Sequence, residues 1–434
     1  MEKKRFLWDA FGTTIFGVLF LWGISHIDIN LDIINPIEKT FEDFELTDIV
    51  FSHLRESPPY NEDIVLVNIG MLDRAGIARQ IEIINKYDPK VIGVDAFFRY
   101  PKRSEDPTRD SILIAGDSAL ARAFRQVKNL VLGCELHENP EEDRVDSISM
   151  SHPMFTAHSR IAYLDMVSEG KNTFKTARHC FLRETMGDST LLSFPAMMAQ
   201  IYKPESMEKL EKRNNDTEAI NYTGNVNTIT KDGTPNSKIT FTALDVHQVL
   251  YEEFEPDVFK DKMVIMGYMG QDFDTYSPED RFFTPLNQEY VGRAAEDMYG
   301  VVVHANICAM ILKGNYIDEM PEFWSDVINV VLIFFNIILF TYFYFKMKIF
   351  WDGVTLLIML AEALLFTTVI VYIFDLYDYK LDFTLATVAL FLMPNIIELY
   401  YGLIKTSEIK LRRKYRHKQK KKQTITTDKP DDIL

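Results

Sequence analysis

The chain has 434 residues, 47% of them apolar and 13% aromatic, with 47 Lys and Arg against 63 Asp and Glu for a formal charge of -16. That content is too apolar for a disordered chain, and three cysteines are too few for a disulfide scaffold. The acidity speaks against a soluble nucleic-acid binder, but it hides a division. Residues 26–325 carry 50 acidic and 30 basic residues, whereas Lys405 to Lys422 holds ten Lys and Arg against Glu408 alone.

Taken in chain order, an apolar stretch from about Leu7 to Ile24 follows Glu2, Lys3, Lys4 and Arg5. It lacks a small-residue cleavage site, with Trp22 and His26 where one would fall, so it reads as an uncleaved signal anchor. Ile29 to Glu56 has helix-compatible periodicity and stops at Ser57-Pro58-Pro59. Ile64 to Ile69 then reads as a buried strand, Gly76 to Tyr87 as an amphipathic helix and Val91 to Phe98 as a second buried strand. Strand, helix, strand with continuously apolar strands predicts a parallel sheet. Ser118 to Arg125 repeats the helix and Leu130 to Cys134 the strand, followed by an acidic loop over Glu138 to Ser147 and a polar insertion over Lys203 to Asn215. After a short segment at Ala219 to Tyr222, a helix is expected over Thr242 to Tyr251, a parallel-type strand over Met263 to Tyr268, and a strand edge or loop entering a helix over Gly300 to Leu312.

Three more apolar runs close the chain, at about Val327 to Phe345, Val354 to Phe374 and Phe383 to Leu403, each long enough to cross roughly 30 Å of hydrocarbon as helix. Lys3, Lys4 and Arg5, the loop with Lys346 and Lys348, and the basic tail belong on the cytoplasmic side by charge. The acidic loop with Asp375, Asp378 and Asp382 belongs outside, Lys380 being the one basic residue out of place. The expected fold class is therefore α/β, a mostly parallel sheet with helices on both faces, plus four transmembrane helices. Residues 1–25 form the cytoplasmic start and anchor, 26–325 the extracytoplasmic domain, 326–404 three spans and 405–434 a basic cytoplasmic tail. A bacterial inner membrane with a periplasmic main domain fits this layout.

Several of these segments resemble the CHASE2 domain, a bacterial extracytoplasmic sensor module. They are Val91 to Phe98, Asn221-Tyr222-Thr223-Gly224, Met263 to Gly267, and Thr284-Pro285-Leu286 followed by Gly300 to Ile307 with its His304-Ala305-Asn306. The resemblance covers roughly residues 30–320 and implies the arrangement of one amino-terminal and three carboxyl-terminal spans. Gly70 to Gly76 departs from it, lacking the Pro-Trp-Pro-Arg type segment usual there. Family members often continue into a kinase or cyclase, whereas residues 405–434 leave no room for one, so any signal is expected to pass through a partner subunit.

The candidate ligand site gathers Asp95, at the carboxyl end of a predicted parallel strand, with Asp272, Asp274 and Thr275 after the next one and His304 and Asn306 at the start of the last outer helix. Such carboxylates, amides and hydroxyls suit a small polar ligand or a divalent cation of the Mg²⁺ or Ca²⁺ type, while one imidazole is too few for zinc. The competing reading is structural: Asp95 bonding loop amides, and His304 and Asn306 holding the loop of Thr284 and Pro285. No nucleophile motif, zinc-protease motif or phosphate loop in strand-to-helix context is present, so no enzyme is expected; the alternative, a metal-dependent extracytoplasmic hydrolase, would need carboxylate-directed hydrolysis at Asp95 and Asp274 with a metal bound there. Cys134 and Cys308 read as core residues, with any disulfide at Cys180 left open.

Within the spans Glu362 and Glu398, and more weakly Asn336 and Asn395, are costly in hydrocarbon; they read as contacts to a membrane partner or as a proton or ion path, against neutral carboxyls hydrogen-bonded between helices, with Glu398 near enough to the interface to reach toward Lys405. Pro394 should bend the last helix. Lys410, Arg412, Arg413, Lys414, Arg416, Lys418, Lys420, Lys421 and Lys422 form a tail suited to anionic lipid or an acidic partner, with no nucleic acid expected. The expected assembly is a homo-oligomer or a hetero-subunit of a membrane complex.

Overall fold

The computed structural model describes residues 3–25, 45–56, 59–139, 144–166, 176–187, 189–213, 215–288, 295–347, 350–407 and 410. They belong to two units, one of residues 34–318 and one joining residues 1–33 to 319–434. The described chain begins with helix α1 (Lys3–Ser25) of the second unit.

In the outer unit a seven-stranded sheet is built from β1 (Asn61–Asn68), β2 (Val91–Val94), β3 (Leu130–Asn139), β4 (Arg144–Met150), β5 (Arg160–Tyr163), β6 (Phe241–Leu244) and β7 (Met263–Gly267). Their order is β6-β1-β7-β2-β3-β4, with β5 also paired to β3, and every pairing except β3 with β4 is parallel. β2 and β7 are buried at every position, the pattern of strands covered on both faces.

Alternate side chains go to opposite layers. Val65, Val67, Ile92, Val94, Leu130, Leu132, Val264 and Met266 join one core with Ile77, Ile81 and Ile84 of α2 (Arg74–Asn85) and Leu120 and Phe124 of α3 (Pro107–Gln126). On the other face lie α4 (Phe194–Tyr202) and α5 (Gly300–Lys313), both in contact with the sheet. Gly93 in β2 faces α4: a Cβ there would stand 2.6 Å from both Met198 Sδ and Phe194 Cζ. The helices start on side-chain caps where the sequence offers them, with Asp73, Asp106 and Ser193 accepting backbone N–H groups, and α5 ends at left-handed Gly314.

The structure revises four local expectations. Thr242 to Leu244 is strand, pairing with β1, and only Val246–Leu250 is helical, because Asp245 caps that short helix with Gln248 completing the capping box. The acidic stretch expected as a loop is for the most part the β3–β4 hairpin, paired from Cys134↔Met150 to Asn139↔Arg144. The helix expected from Ser118 starts eleven residues earlier at Pro107, whose fixed φ suits a first helical position behind the Asp106 cap. The polar insertion holds a short turn at Pro204–Ser206 and a helix at Met207–Arg213. Most of Ile29 to Glu56 lies outside the described residues, which resume with helical turns over Leu46–Ile49 and Val50–Leu54. Cys134, Cys180 and Cys308 are all buried and free.

The second unit holds three helices long and apolar enough to cross a membrane, α6 (Glu322–Lys346), α7 (Trp351–Tyr377) and α8 (Thr384–Leu399), the last continuing through Pro394 into a π-helical segment to Lys405. Ile333, Ile337 and Phe340 of α6 pack with Ala386, Ala389, Leu390 and Met393 of α8 and with Ala10 and Leu21 of α1. Asn329 ties α6 to α8, donating to Asp382 O at 3.0 Å and accepting from Ala386 N at 2.9 Å. Only 17% of the apolar stretch of α7 is buried, against 33% in α6 and in α8, so α7 is the outermost of these three.

A buried ion pair joins α2 to α3. Arg74 meets Asp117 at 2.5 Å and donates to Tyr100 O at 2.7 Å, while Asp117 also accepts from Lys102 N at 3.0 Å. Asp117→Ala strands a buried guanidinium and should lower outer-domain stability by about 3 to 5 kcal/mol. Denaturation followed by circular dichroism checks this, since Trp8, Trp22, Trp324 and Trp351 all lie in the other unit.

Candidate functional site

The site forms where the parallel strands end. The Asp95 amide donates to Met266 O at 2.8 Å, keeping β2 joined to β7 one residue beyond Val94. At the end of β7, Gly267 has no side chain to hold α5 away: a Cβ there would lie 2.8 Å from Val301 Cβ and Cγ2 and 3.3 Å from Asp95 Cβ. The first turn of α5 is thereby drawn against the carboxyl ends of β7 and β2, the edge at which open α/β sheets gather binding groups.

His304 follows one turn into α5. Its ring packs on Phe194 with centroids 5.3 Å apart, and the residue is 2% exposed. Nε2 faces Asp95 Oδ2 at 4.0 Å, beyond hydrogen-bond reach, and Nδ1 is buried with no partner. A buried imidazole using neither nitrogen is unusual, because unpaired polar atoms in the interior cost free energy. Asp280, at φ 55°, accepts from Gly300 N through its carbonyl, and its carboxyl oxygens lie 3.2 Å from where a Gly300 Cβ would stand. That carboxyl overlies the start of α5, whose N-cap residue Tyr299 supplies no side-chain bond.

Burial pushes the Asp95 carboxyl up to about 8, with the negative charge of Asp280 adding to the effect. Desolvation raises Asp280 to about 6, and burial lowers His304 to about 4. Near neutral pH the arrangement is thus a protonated Asp95 donor facing an uncharged imidazole, with the Asp280 carboxylate beside them. Such a pair can hydrogen-bond a small polar group from two sides.

The other candidate residues divide. Asn306 is fully engaged: Oδ1 accepts from Thr223 N at 2.8 Å, Thr223 Oγ1 at 3.1 Å and Gly224 N at 3.1 Å, while Nδ2 donates to Gly224 O and Val302 O at 2.9 Å each. It therefore clamps the Thr223-Gly224 segment, and the Thr284 loop is held instead by Asp297, which accepts from Thr284 N at 2.8 Å and Thr284 Oγ1 at 2.6 Å. Asp272 accepts from Asp274 N at 3.1 Å in the loop after β7, and no hydrogen bond or ion pair connects Asp272, Asp274 or Thr275 to Asp95 or His304. Among the described residues no group of three His, Cys, Asp or Glu could hold a metal ion. Asp280 was not anticipated; it lies twenty positions before Gly300, and only the fold brings the two together. A separate concavity of about 610 Å³ is lined by residues of the 225–237 segment and by residues 286–288 and 295–297, where the amides of Asn225 and Asn287 are spent on backbone carbonyls and that of Asn236 on Val226 O and Thr228 Oγ1.

In the membrane unit Glu398 accepts from Trp351 Nε1 at 3.1 Å, and Lys405 pairs at 2.5 Å with Asp9 of α1, so the expected approach of Glu398 to Lys405 is replaced by two separate partners. Asp9 is buried in the first apolar helix and was overlooked in the sequence because its partner lies 396 positions away. Glu362 Oε2 and Asn336 Nδ2 are buried without partners, and Asn395 is exposed. Of the basic residues of the tail only Lys405 and Lys410 are among the described residues; Arg412 to Lys422 lie outside them.

An open α/β sheet with a polar cluster at its carboxyl edge, in a chain carrying three helices long and apolar enough to cross a membrane, defines a membrane-tethered α/β domain. Residues 35–342 match the family described as CHASE2 domain, and the chain belongs to that family. It is a multi-pass membrane protein with an extracytoplasmic, sensor-type CHASE2 domain. No curated protein and no solved structure matches it.

The sign of the Asp95 shift fixes a pH dependence. Between 3.8 and about 8 the folded protein holds a proton that the unfolded chain has released, so stability falls as pH rises through that window. Asp280, raised to about 6, acts the same way and is nearly finished by pH 7; Asp297, raised to about 7, is half titrated there and adds a smaller part of the fall; His304 acts oppositely only between about 4 and 6.5. Stability should therefore drop by about 1 kcal/mol from pH 7 to 8. Asp95→Asn should flatten that limb in melts followed by circular dichroism.

Proposed function

We propose that this protein is a bacterial inner-membrane receptor subunit whose periplasmic domain binds a small polar ligand between Asp95 and His304. It acts through partner subunits rather than by catalysis. The observation that carries the reading is the buried His304, with neither ring nitrogen hydrogen-bonded and Nε2 turned toward a carboxyl 4.0 Å away. A ligand donating to one group and accepting from the other would relieve that deficit, and its differential affinity for the filled and empty states is what would shift the domain's conformation. A cation would enter as a ligand of Asp95 and Asp280 in their ionised forms, with Asp272, Asp274 and Thr275 in the neighbouring loop as a further polar rim. The site is tested by native mass spectrometry of the full-length protein extracted from its own membrane. A small species retained by the wild type and lost from both Asp95→Asn and His304→Gln supports the reading, and retention by both variants sinks it.

The topology proposed is four spans, α1 with α6, α7 and α8, both ends cytoplasmic. Its support is the packing of Ala10 and Leu21 with α6 and α8 and the Asp9 to Lys405 pair. Cysteines placed at positions 4 and 407 should label only after the inner leaflet is opened, and one at position 100 should label from the periplasm; labelling of all three from the same side would refute this layout.

A second reading, a structural subunit of an envelope complex, is favoured by Glu362. Its Oε2 has no partner, and it lies on α7, the outermost of the three described spans. Polar groups in that setting hydrogen-bond across helices. Glu362→Leu should release a co-purifying subunit if this contact holds the complex, whereas Glu362→Gln should retain it. Asn336, Asn395 and Glu398 are weaker candidates for the same contact, and the tail from Lys410 onward is proposed to lie on anionic lipid.

A further inference from the structure

We propose that the cleft between α3 and the short helix Pro153–Thr156 is an oxyanion-binding site, formed by Arg122, Arg125, His158 and Ser118 and suited to a small phosphate ester or carboxylate. The cleft is an open groove of about 530 Å³ with Arg122, Arg125 and His158 exposed along it, and it lies on the helical layer of α2 and α3, whereas His304 belongs to the opposite layer. Its volume falls within the range of small-ligand pockets.

The argument rests on charge that has no counterpart. Residues 26–325 carry 50 acidic against 30 basic residues, so carboxylates are abundant. Three less exposed arginines of the domain use them: Arg74 meets Asp117, Arg178 meets Asp48 and Arg213 meets Glu218, whereas the exposed Arg109 and Arg160 make no ion pair with a described residue. Arg122 has no hydrogen bond or ion pair with any described residue, and Arg125 donates only through Nε, to Ala121 O of its own helix at 3.0 Å. The spacing of Ser118, Arg122 and Arg125 places all three on one face of α3, where two cations one turn apart repel each other. His158 brings a third nitrogen-bearing group to the same cleft from the loop after the facing helix.

Both guanidinium forks thus keep their terminal N–H groups available, and a fork matches two oxygens of a phosphate or carboxylate at once. The Ser118 hydroxyl, one turn before Arg122, adds a neutral donor. Ala121, Met154 and Ala157 supply an apolar wall, which suits a ligand with a carbon body behind its charged group. An anion seated there would remove the repulsion between the arginines and lock α3 to the segment 153–158.

Isothermal titration of the full-length protein in neutral detergent, with inorganic phosphate and separately with citrate at constant ionic strength, tests this. Saturable one-site binding of either is expected, phosphate alone pointing to a phosphate ester and citrate alone to a carboxylate. Arg122→Gln/Arg125→Gln should weaken it at least about ten-fold. Ser118→Ala should weaken it several-fold and serves as the readout should the double variant fail to fold. Arg109→Gln, on the same helix but outside the cleft, should bind as the wild type does. Absence of saturable binding by both anions, or an equal loss in Arg109→Gln, would overturn the proposal.

Discussion

Complete burial of α5 is the constraint on which the outer domain depends. Every residue from Gly300 to Ile311 is inaccessible, including His304 and Asn306. A helix in that position can carry polar side chains only where something answers them. Asn306 is answered at every donor and acceptor by the backbone of Thr223, Gly224 and Val302, and it fixes the 223–224 segment against the helix. The absence of a side chain at Gly267 lets the same helix come within contact of β7, which decides where His304 meets Asp95. Fold and candidate site thus share one cause, a helix pressed onto the ends of two parallel strands.

Two kinds of buried polar group can be separated on this basis. Asn68, which bridges Asp245 and the backbone of Gly70, Met269 and Gly270, belongs with Asn306 and Asn329 among groups whose bonds are complete and whose role is to join elements. His304 and Glu362 keep atoms with no partner although neither lies on an open surface. Interiors rarely leave such atoms unmatched, and these two, with Asn336 and Tyr163 among others, are where the described chain leaves hydrogen-bonding capacity unused. His304 stands near a strand end of the α/β sheet and Glu362 on an apolar helix of membrane length.

Much of this was legible in the sequence, for identifiable reasons. Runs such as Ile64 to Val67 and Met263 to Met266 are apolar without alternation, which only a doubly covered sheet explains, and the three long apolar runs have the length that hydrocarbon requires. Asp95 stood out because it follows such a run directly. The Phe241 to Leu244 strand was hidden because its four residues merge with the capped helix behind them, and an eight-residue window cannot separate two periods. Asp280 and the anchoring roles of Asp297 and Asn306 were not legible, since each depends on which loops the fold brings together. The pairing of Asp9 with Lys405 was invisible for the same reason, being local in space and remote in sequence.

That last pair bears on how the molecule is made. Asp9 sits in the first hydrophobic helix, and its cation stands at the end of the last one. During synthesis the acid emerges early and is without its partner until nearly the whole chain has followed. A carboxylate without a counter-charge is costly in apolar surroundings, so the final packing of α1 waits for that cation. The contact that seats α1 against α8 is accordingly among the last to form, and it converts arrival of the final helix into closure of the bundle.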